Sequence, residues 1–359
     1  MLAALLTGDV SMKRRIGLLV GVFMVASFAL AQTTPDHIMP KDPTASGLTG
    51  PLHTVTIVTP DLPAVAKMYR DGMGMELSAP IQMSPADQKK LSAAWEIPAD
   101  LPWSMHMLHR PTVPLATQIR VVVTGKPTPA IRKSWSRQEL GPYGMGFPTE
   151  DVQAWDKHIS ALGFKRATPE IERFPLKRGD GSGYDVLEAT FDGPEFLRNI
   201  AISRRDGMAQ VGDLDLKTGR GGPAYGTQVV ADIDAMAKFF VEVMDYEVRT
   251  DRIWRAYEVP FRFATIYAKG AKNGHLALAS YEAKDTIAGT GVQPTMPNRG
   301  MAMWSFQSPS IDKIAERAKA AGLRVQSHGR IDAADLGARR TMTLHAPNGF
   351  MIEVFEPVK

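Results

Sequence analysis

The stretch LHTVTIVTPDLPAVAKMYRDGMGMEL, from Leu52 to Leu77, joins a run of β-branched residues to a helix-like segment. Every residue from Thr54 to Thr59 is β-branched, which favours an extended strand. Asp61 stands immediately before an apolar-periodic segment, the position of a helix N-cap. The stretch therefore predicts a strand that leads directly into a helix.

The same pattern recurs from Pro223 to Val248, PAYGTQVVADIDAMAKFFVEVMDYEV, where Asp232 lies 171 residues after Asp61. The identical positions of this gapless alignment are Thr56/Thr227, Val58/Val229, Asp61/Asp232, Ala64/Ala235, Ala66/Ala237, Lys67/Lys238, Met73/Met244 and Glu76/Glu247. Weaker copies run from Phe147 to Lys165 and from Phe306 to Arg324. Because short β-rich runs follow each helical segment, the sequence predicts four copies of a strand, helix, strand, strand, strand unit.

This arrangement resembles the vicinal oxygen chelate superfamily, which includes glyoxalase I, the bleomycin and fosfomycin resistance proteins and the extradiol dioxygenases. The closing run APNGFMIEVFE, from Ala346 to Glu356, is similar to the family's closing signature, and Glu353 occupies its usual metal-ligand position. The resemblance implies an α+β fold in which four βαβββ units form two modules of curved mixed β-sheet, with the helices outside.

We expect consecutive units to pair, because elements that are adjacent in sequence usually pack together. Residues 51–205 would then form the first module and residues 223–359 the second. The polar, Gly-rich segment 206–222 would be the linker between them. An alternative places the first unit against the fourth.

The N-terminus has the pattern of a secretory signal peptide over residues 1–31, with Met12 as its start. The basic cluster Lys13-Arg14-Arg15 precedes the apolar run from Ile16 to Leu30, and Ala29-Leu30-Ala31 provides the cleavage site before Gln32. Residues 32–50 read as a Pro-containing linker. These features predict a periplasmic or secreted protein without stable membrane insertion after signal removal; a retained membrane anchor is the alternative.

Composition narrows the chemistry further. The chain contains no Cys, which excludes disulfides, thiolate metal ligands and a Cys nucleophile. The predicted signal carries three basic residues and one acidic residue, so its removal lowers the net charge from +4 to +2. A charge this small does not indicate a nucleic-acid partner, and we expect a small-molecule ligand instead.

The resemblance also implies which residues form a site, because inward positions of the first and last strands of paired units supply the family's metal ligands. The first-strand positions are His53, Tyr143, Ala224 and Ala302, and the last-strand positions are Gln118 or Arg120, Asn199, Leu278 and Glu353. A divalent metal needs about three N or O donors, and neither sequential pair supplies a usual set. If the first and fourth units paired, His53 and Glu353 would share a metal site with Gln118.

Two functional hypotheses follow. The first is an exported glyoxalase- or dioxygenase-like enzyme (a lyase, isomerase or dioxygenase) that acts on a small oxygen-rich or anionic molecule in the first module. His53 and Tyr143 would then be catalytic, while Arg120 and Asn199 would bind the ligand. The second is a non-catalytic protein that sequesters a small molecule. A helix predicted from Ser84 to about Trp95 is either a lid or surface decoration.

Overall fold

The computed structural model describes residues 45–255, 257–333 and 337–358. The predicted signal peptide, its cleavage site and most of the first linker lie outside these residues. None of the helices in the described ranges has the length and apolar character that a bilayer crossing requires.

The four predicted units are confirmed, and each contributes four strands. The first unit comprises β1 (Leu52–Thr59), α1 (Leu62–Ala66, followed by a π-helix at Lys67–Gly72), β2 (Glu76–Leu77), α2 (Pro85–Ala94), β3 (Trp103–His109) and β4 (Gln118–Thr124). The second comprises β5 (Gly141–Pro148), α3 (Val152–Ala161), β6 (Glu172–Lys177), β7 (Gly183–Asp192), a 3₁₀ turn (Pro194–Phe196) and β8 (Arg198–Arg204). The third comprises β9 (Tyr225–Val229), α4 (Ile233–Glu242), β10 (Tyr246–Trp254), β11 (Phe261–Ala268) and β12 (His275–Ser280). The fourth comprises β13 (Gly300–Gln307), α5 (Ile311–Ala320), β14 (Val325–Ala333), β15 (Gly337–His345) and β16 (Met351–Pro357).

An Asp caps the helix that follows the first strand in three of the units. Oδ1 of Asp61, Asp151 and Asp232 accepts a hydrogen bond from the amide three residues later, at 3.0, 2.9 and 2.9 Å. Such a cap satisfies an amide that has no partner within the helix. In these three units the recurring Asp therefore fixes where the first strand turns into its helix.

The strands form two mixed eight-stranded sheets, with orders β14-β15-β16-β13-β1-β4-β3-β2 and β10-β11-β12-β9-β5-β8-β7-β6. The first is termed the 1–4 sheet and the second the 2–3 sheet, after the units that build them. Antiparallel pairing of β1 with β13 and of β5 with β9 joins the units. The expectation that residues 51–205 and 223–359 form the two modules is therefore wrong, and the alternative pairing is correct. The second and third units, which are adjacent in sequence, pair with each other. The first unit therefore pairs with the fourth.

Alternation along each strand separates an inner, concave face from an outer face that packs on the helices. The largest core cluster contains outer-face residues of both sheets, such as Val55 and Phe147, together with helix residues such as Trp155 and Phe240. The concave faces hold two separate clusters, which decide where a ligand fits.

The end of the predicted first linker is docked on the third unit. The amide of Leu48 donates to Oδ2 of Asp245 at 2.8 Å, and the hydroxyl of Tyr246 donates to the carbonyl of Gly50 at 2.7 Å. Residues 45–50 are therefore part of the folded body.

Candidate functional site

His53 and Tyr143 occupy equivalent positions, each as the extra residue of a β-bulge. In β1 the register with β13 shifts between Leu52 and Thr54, and in β5 the register with β9 shifts between Pro142 and Gly144. A bulge rotates a side chain that simple alternation would direct to the other face. His53 consequently lies on the concave face of the 1–4 sheet, and Tyr143 lies on that of the 2–3 sheet.

The concave face of the 1–4 sheet is filled by side chains. The indole of Trp95, which follows α2, donates to Oε1 of Glu353 at 3.0 Å, and Nη2 of Arg120 donates to Oε2 at 3.0 Å. The Arg120 guanidinium also stacks on the Trp95 ring, 4.9 Å from its centroid. Only about 10 Å³ of space remains beside these groups. The predicted helix is thus confirmed, but it covers the 1–4 sheet and not an open cavity.

Burial and neighbouring charges set the protonation states of Glu353 and His53 on this face. Burial by itself raises the pKa of Glu353, but the guanidinium groups of Arg120 and Arg339 outweigh that effect and hold the pKa below its ordinary value. Burial lowers the pKa of His53 to about 3, and the same two cations add to the decrease. His53 is therefore neutral at physiological pH and poorly placed to exchange protons with a ligand.

The residues of this face do not fit the divalent metal that the fold suggests. Oε1 of Gln118 is buried without a hydrogen-bond partner and could act as a ligand. The carboxylate of Glu353, however, is bound on both oxygens, and two guanidinium groups lie where a cation would need negative charge. Among the described residues, no group of three His, Asp or Glu side chains could hold a metal ion.

The concave face of the 2–3 sheet encloses a cavity of about 410 Å³. Aromatic rings form much of its wall, and they come from β5, β6, β7, β9, β10 and β11 and from the segments that follow β10 and β12. They belong to Tyr143, Phe174, Tyr184, Tyr225, Trp254, Tyr257, Phe261, Phe263, Tyr267 and Tyr281. The rings hold one another edge-on or stacked, for example Phe174 with Trp254 at 5.6 Å and Tyr257 with Phe261 at 5.8 Å between centroids.

The structure does not assemble the four-residue site predicted for the first module. Tyr143 lines the 2–3 cavity, whereas His53 and Arg120 lie in the 1–4 sheet. Asn199 is on β8 but faces the helices, beside the buried hydroxyl of Tyr69, because it alternates with cavity-facing Ile200. The third unit builds half of the cavity, so the cavity is not confined to residues 51–205, where the first hypothesis placed the ligand.

A polar cluster lies at one part of the cavity wall. Glu188 on β7 pairs across the strands with Glu172 on β6, and Arg137 lies 3.5 Å from a Glu172 oxygen. Arg137 also stacks on the Tyr257 ring at 3.8 Å. Burial and then the neighbouring Glu172 raise the pKa of Glu188 to about 7, against the opposing effects of Arg137 and a Tyr257 hydrogen bond. A carboxyl group with such a pKa can exchange a proton near neutral pH.

A second cluster surrounds His275. Its ring lies between Tyr267, stacked at 4.5 Å, and Tyr225 at 4.8 Å. Burial and then the cations Arg204 and Arg249 lower the pKa of His275 to about 3, so the imidazole is neutral. Tyr225 packs directly on Gly146, where an added Cβ would lie 1.9 Å from the phenol ring. The glycine therefore makes room for a wall residue of the cavity.

Sequence reasoning missed Glu188, Arg137 and His275. Glu188 lies on a middle strand of its unit, and Arg137 lies in the connection between β4 and β5, so neither occupies a ligand position of the resembled family. Their roles depend on which units pair. The aromatic residues between Trp254 and Tyr281 were the signal in the sequence that could have indicated this cavity. Strand position alone, which selected the predicted site residues, does not reveal it.

Comparisons with known proteins agree with this architecture. A sequence model of the Glyoxalase/Bleomycin resistance protein/Dioxygenase superfamily matches residues 223–354. A glyoxalase I variant from Zea mays superimposes with a TM-score of 0.57 at 16% identity, covering 86% of this chain and 94% of that one. Glyoxalase I from Zea mays gives a TM-score of 0.56 at 15% identity over 85% and 92% of the two chains. A proposed dioxygenase from Bacillus subtilis gives 0.53 at 12% identity over 88% and 87%. Comparison with curated protein sequences gives no match. At these identities the structural likeness establishes the fold alone.

Proposed function

We propose that this chain, a vicinal oxygen chelate protein by its fold and by the family match of its third and fourth units, binds a small, largely aromatic molecule in the 2–3 cavity. The observation that carries the proposal is a cavity of about 410 Å³ walled by aromatic rings. Its volume lies in the usual range of small-molecule sites, which are mostly apolar with a few directing polar groups.

The walls favour a planar ligand. Rings such as Trp254, Phe263 and Tyr267 present faces or edges to the cavity, and aromatic pairs in offset or edge-on geometry add about 0.5–1.5 kcal/mol beyond the burial of area. A flat molecule uses such contacts more fully than a branched aliphatic one.

The charges in the cavity favour an acidic ligand. Arg204, Arg252 and Lys177 line it, and none of them forms an ion pair with a carboxylate in the described parts of the chain. An anionic group could therefore bind a guanidinium through two hydrogen bonds. This keeps the small oxygen-rich or anionic ligand predicted from the sequence but moves it to the cavity of the second and third units.

Metal-dependent glyoxalase or dioxygenase chemistry is not the function that these residues support best, because the side chains in the 1–4 sheet do not fit a cation. One observation favours a second candidate, metal-independent acid–base catalysis in the same cavity. Glu188, whose pKa is raised to about 7, lines the cavity and could act as a general acid or base.

The binding proposal is tested with anilinonaphthalene sulfonate, an aromatic anion whose fluorescence rises in apolar sites. Ala277 lies on the cavity floor, so Ala277→Trp should fill part of the space and abolish saturable probe binding. Leu216→Trp is the matched control, because Leu216 is fully exposed and its variant adds the same side chain outside the cavity. Equal saturable binding by both folded variants would refute the proposal.

We also propose that the protein is exported. Support comes from the basic cluster, the apolar run from Ile16 to Leu30 and the small residues before Gln32. N-terminal sequencing of the protein recovered from a periplasmic fraction should give Gln32 as the first residue. Recovery of an intact N-terminus in the membrane fraction would support the retained anchor.

A further inference from the structure

The cavity is elongated along β12. His275 begins this strand and Tyr281 directly follows it, and both line the cavity. Six residues of extended chain span roughly 20 Å. A ligand that fills the cavity can therefore contact chemically different groups at its two ends.

Arg204 belongs to the His275 end. In the parallel β5–β8 pair, Gly144 is level with Arg198 and Pro148 with Ile202, so Arg204 extends beyond the end of β5. Its positive charge acts on Tyr225, Tyr267 and His275. The guanidinium donates one hydrogen bond to the carbonyl of Ala209 and retains further N–H donors. Aromatic faces next to a cation can bind an aromatic acid, because the rings stack on the ligand and the cation pairs with its acidic group.

Arg137 and Tyr143 belong to the other end. Gln228, near the end of β9, is the register partner of Pro142 beside Tyr143, while Tyr225 at the start of β9 pairs with His275. Arg137 interacts electrostatically with Tyr143, Tyr257 and Tyr281. This end offers phenol hydroxyls and one guanidinium that is already close to Glu172.

Glu188 is the acidic group of the cavity wall. The charged and titratable groups that act on it from the surrounding elements are Glu172 on β6, Arg137 before β5, Tyr143 on β5, Tyr225 on β9 and Tyr257 after β10. The Arg137 guanidinium lies next to Glu172, the residue paired with Glu188. A ligand hydroxyl or N–H could therefore donate to the Glu188 carboxyl.

We propose that the ligand is a planar aromatic acid, with its acidic group bound at Arg204 and, nearby on the same ring system, a hydroxyl or N–H group that donates to Glu188, whose strand partner Ile202 lies only two residues before Arg204. This inference rests on the proposed binding function and adds the class of the ligand and its orientation. The aromatic wall around the two groups would hold the ring system.

Three probes of matched shape test the inference by calorimetry: hydroxynaphthoate with its hydroxyl meta to its carboxylate, naphthoate and naphthol. We expect hydroxynaphthoate to bind about tenfold more tightly than naphthoate, because the hydroxyl adds a hydrogen bond to Glu188. Arg204→Gln should weaken both acids about tenfold and leave naphthol unchanged.

Glu188→Leu should bind hydroxynaphthoate and naphthoate equally. Glu188→Gln keeps an acceptor oxygen and should still bind hydroxynaphthoate more tightly, which would also show that a change at this position leaves the fold intact. Glu170→Gln, a change of an exposed carboxylate, is the control. If naphthoate binds but the hydroxyl gives no gain, or if Arg204→Gln weakens naphthol equally, the inference on ligand class is overturned while the binding function stands. If no probe, including anilinonaphthalene sulfonate, binds saturably, the binding function itself fails.

Discussion

Nη2 of Arg120 lies 3.0 Å from Oε2 of Glu353, and both side chains are 2% exposed. The pair links β4 of the first unit to β16 of the fourth across the concave face of the 1–4 sheet. Removing one partner of a buried ion pair leaves an uncompensated charge, which costs about 3–5 kcal/mol. We therefore expect Glu353→Gln to lower the free energy of unfolding by about that amount in urea titration.

Glu316→Gln, at an exposed position of α5, is the control for that measurement and should change stability little. The double variant Arg120→Met with Glu353→Leu should recover much of the loss, since apolar replacement of a buried pair is often neutral or stabilising. An unaltered stability of Glu353→Gln would contradict the role assigned to the pair.

Tyr143 and His53 provide a matched comparison, because each is the bulged residue of an equivalent strand. We expect Tyr143→Ala to weaken probe binding several-fold, since Tyr143 lines the cavity, and His53→Ala to leave it unchanged. This reverses the expectation from sequence for His53, which placed it in the ligand site. Calorimetric titration with naphthoate measures the binding of both variants. A loss of binding in His53→Ala alone would indicate that the ligand site lies in the 1–4 sheet.

Glu188 should make stability depend on pH. Its folded-state pKa of about 7 lies above the ordinary value of 4.5, so the folded state retains the proton more tightly than the unfolded state. The resulting stabilisation is full below the ordinary pKa and is lost as pH rises through about 7. Relative to Glu188→Gln, the wild-type protein should lose on the order of 3 kcal/mol between these pH values.

Urea unfolding of both proteins across that pH range provides the measurement. The low pKa values of His53 and His275 favour the folded state above the ordinary histidine pKa and destabilise it as pH falls, but this effect is common to both proteins and cancels in their difference. Parallel curves for the two proteins would show that Glu188 has no raised pKa.

A chelator should leave the fold unchanged. Because the Glu353 carboxylate is already bound by Arg120 and Trp95, we expect no stoichiometric divalent metal in the purified protein and no shift of Tm on adding EDTA. Elemental analysis and thermal denaturation measure these outcomes. A bound metal lost together with several degrees of Tm would mean that the Arg120–Glu353 contact opens to a cation.

Local features of the fold were predictable from sequence because each depends on a few neighbouring residues. The β-branched run from Thr54 to Thr59 predicts β1, and the Asp caps predict where the helices begin. Ser84 and Pro85 likewise predict α2, whose capping hydrogen bond from the amide of Asp87 to the Ser84 hydroxyl is 3.1 Å long.

The site was less predictable because it depends on contacts between distant units. His53 and Tyr143 were correctly placed at equivalent positions, but their separation into two sheets follows from the pairing of β1 with β13, which no local pattern specifies. The same holds for the contact of Trp95 with Glu353, residues that are 258 positions apart. A filled and an open concave face could not be told apart until these partners were known.

The pairing of first with fourth and second with third units also sets an order of assembly along the growing chain. All strands of the 2–3 sheet lie between Gly141 and Ser280, so its hydrogen bonds can form before β13 is synthesised. β1, in contrast, must wait for a partner about 250 residues away, and contacts of such long range are slow to form. Until then the edge of β1 that will face β13 has no strand beside it and can pair with other chains. The same nesting that isolates the cavity in the middle of the chain therefore makes the first unit the part most exposed to misassembly during folding.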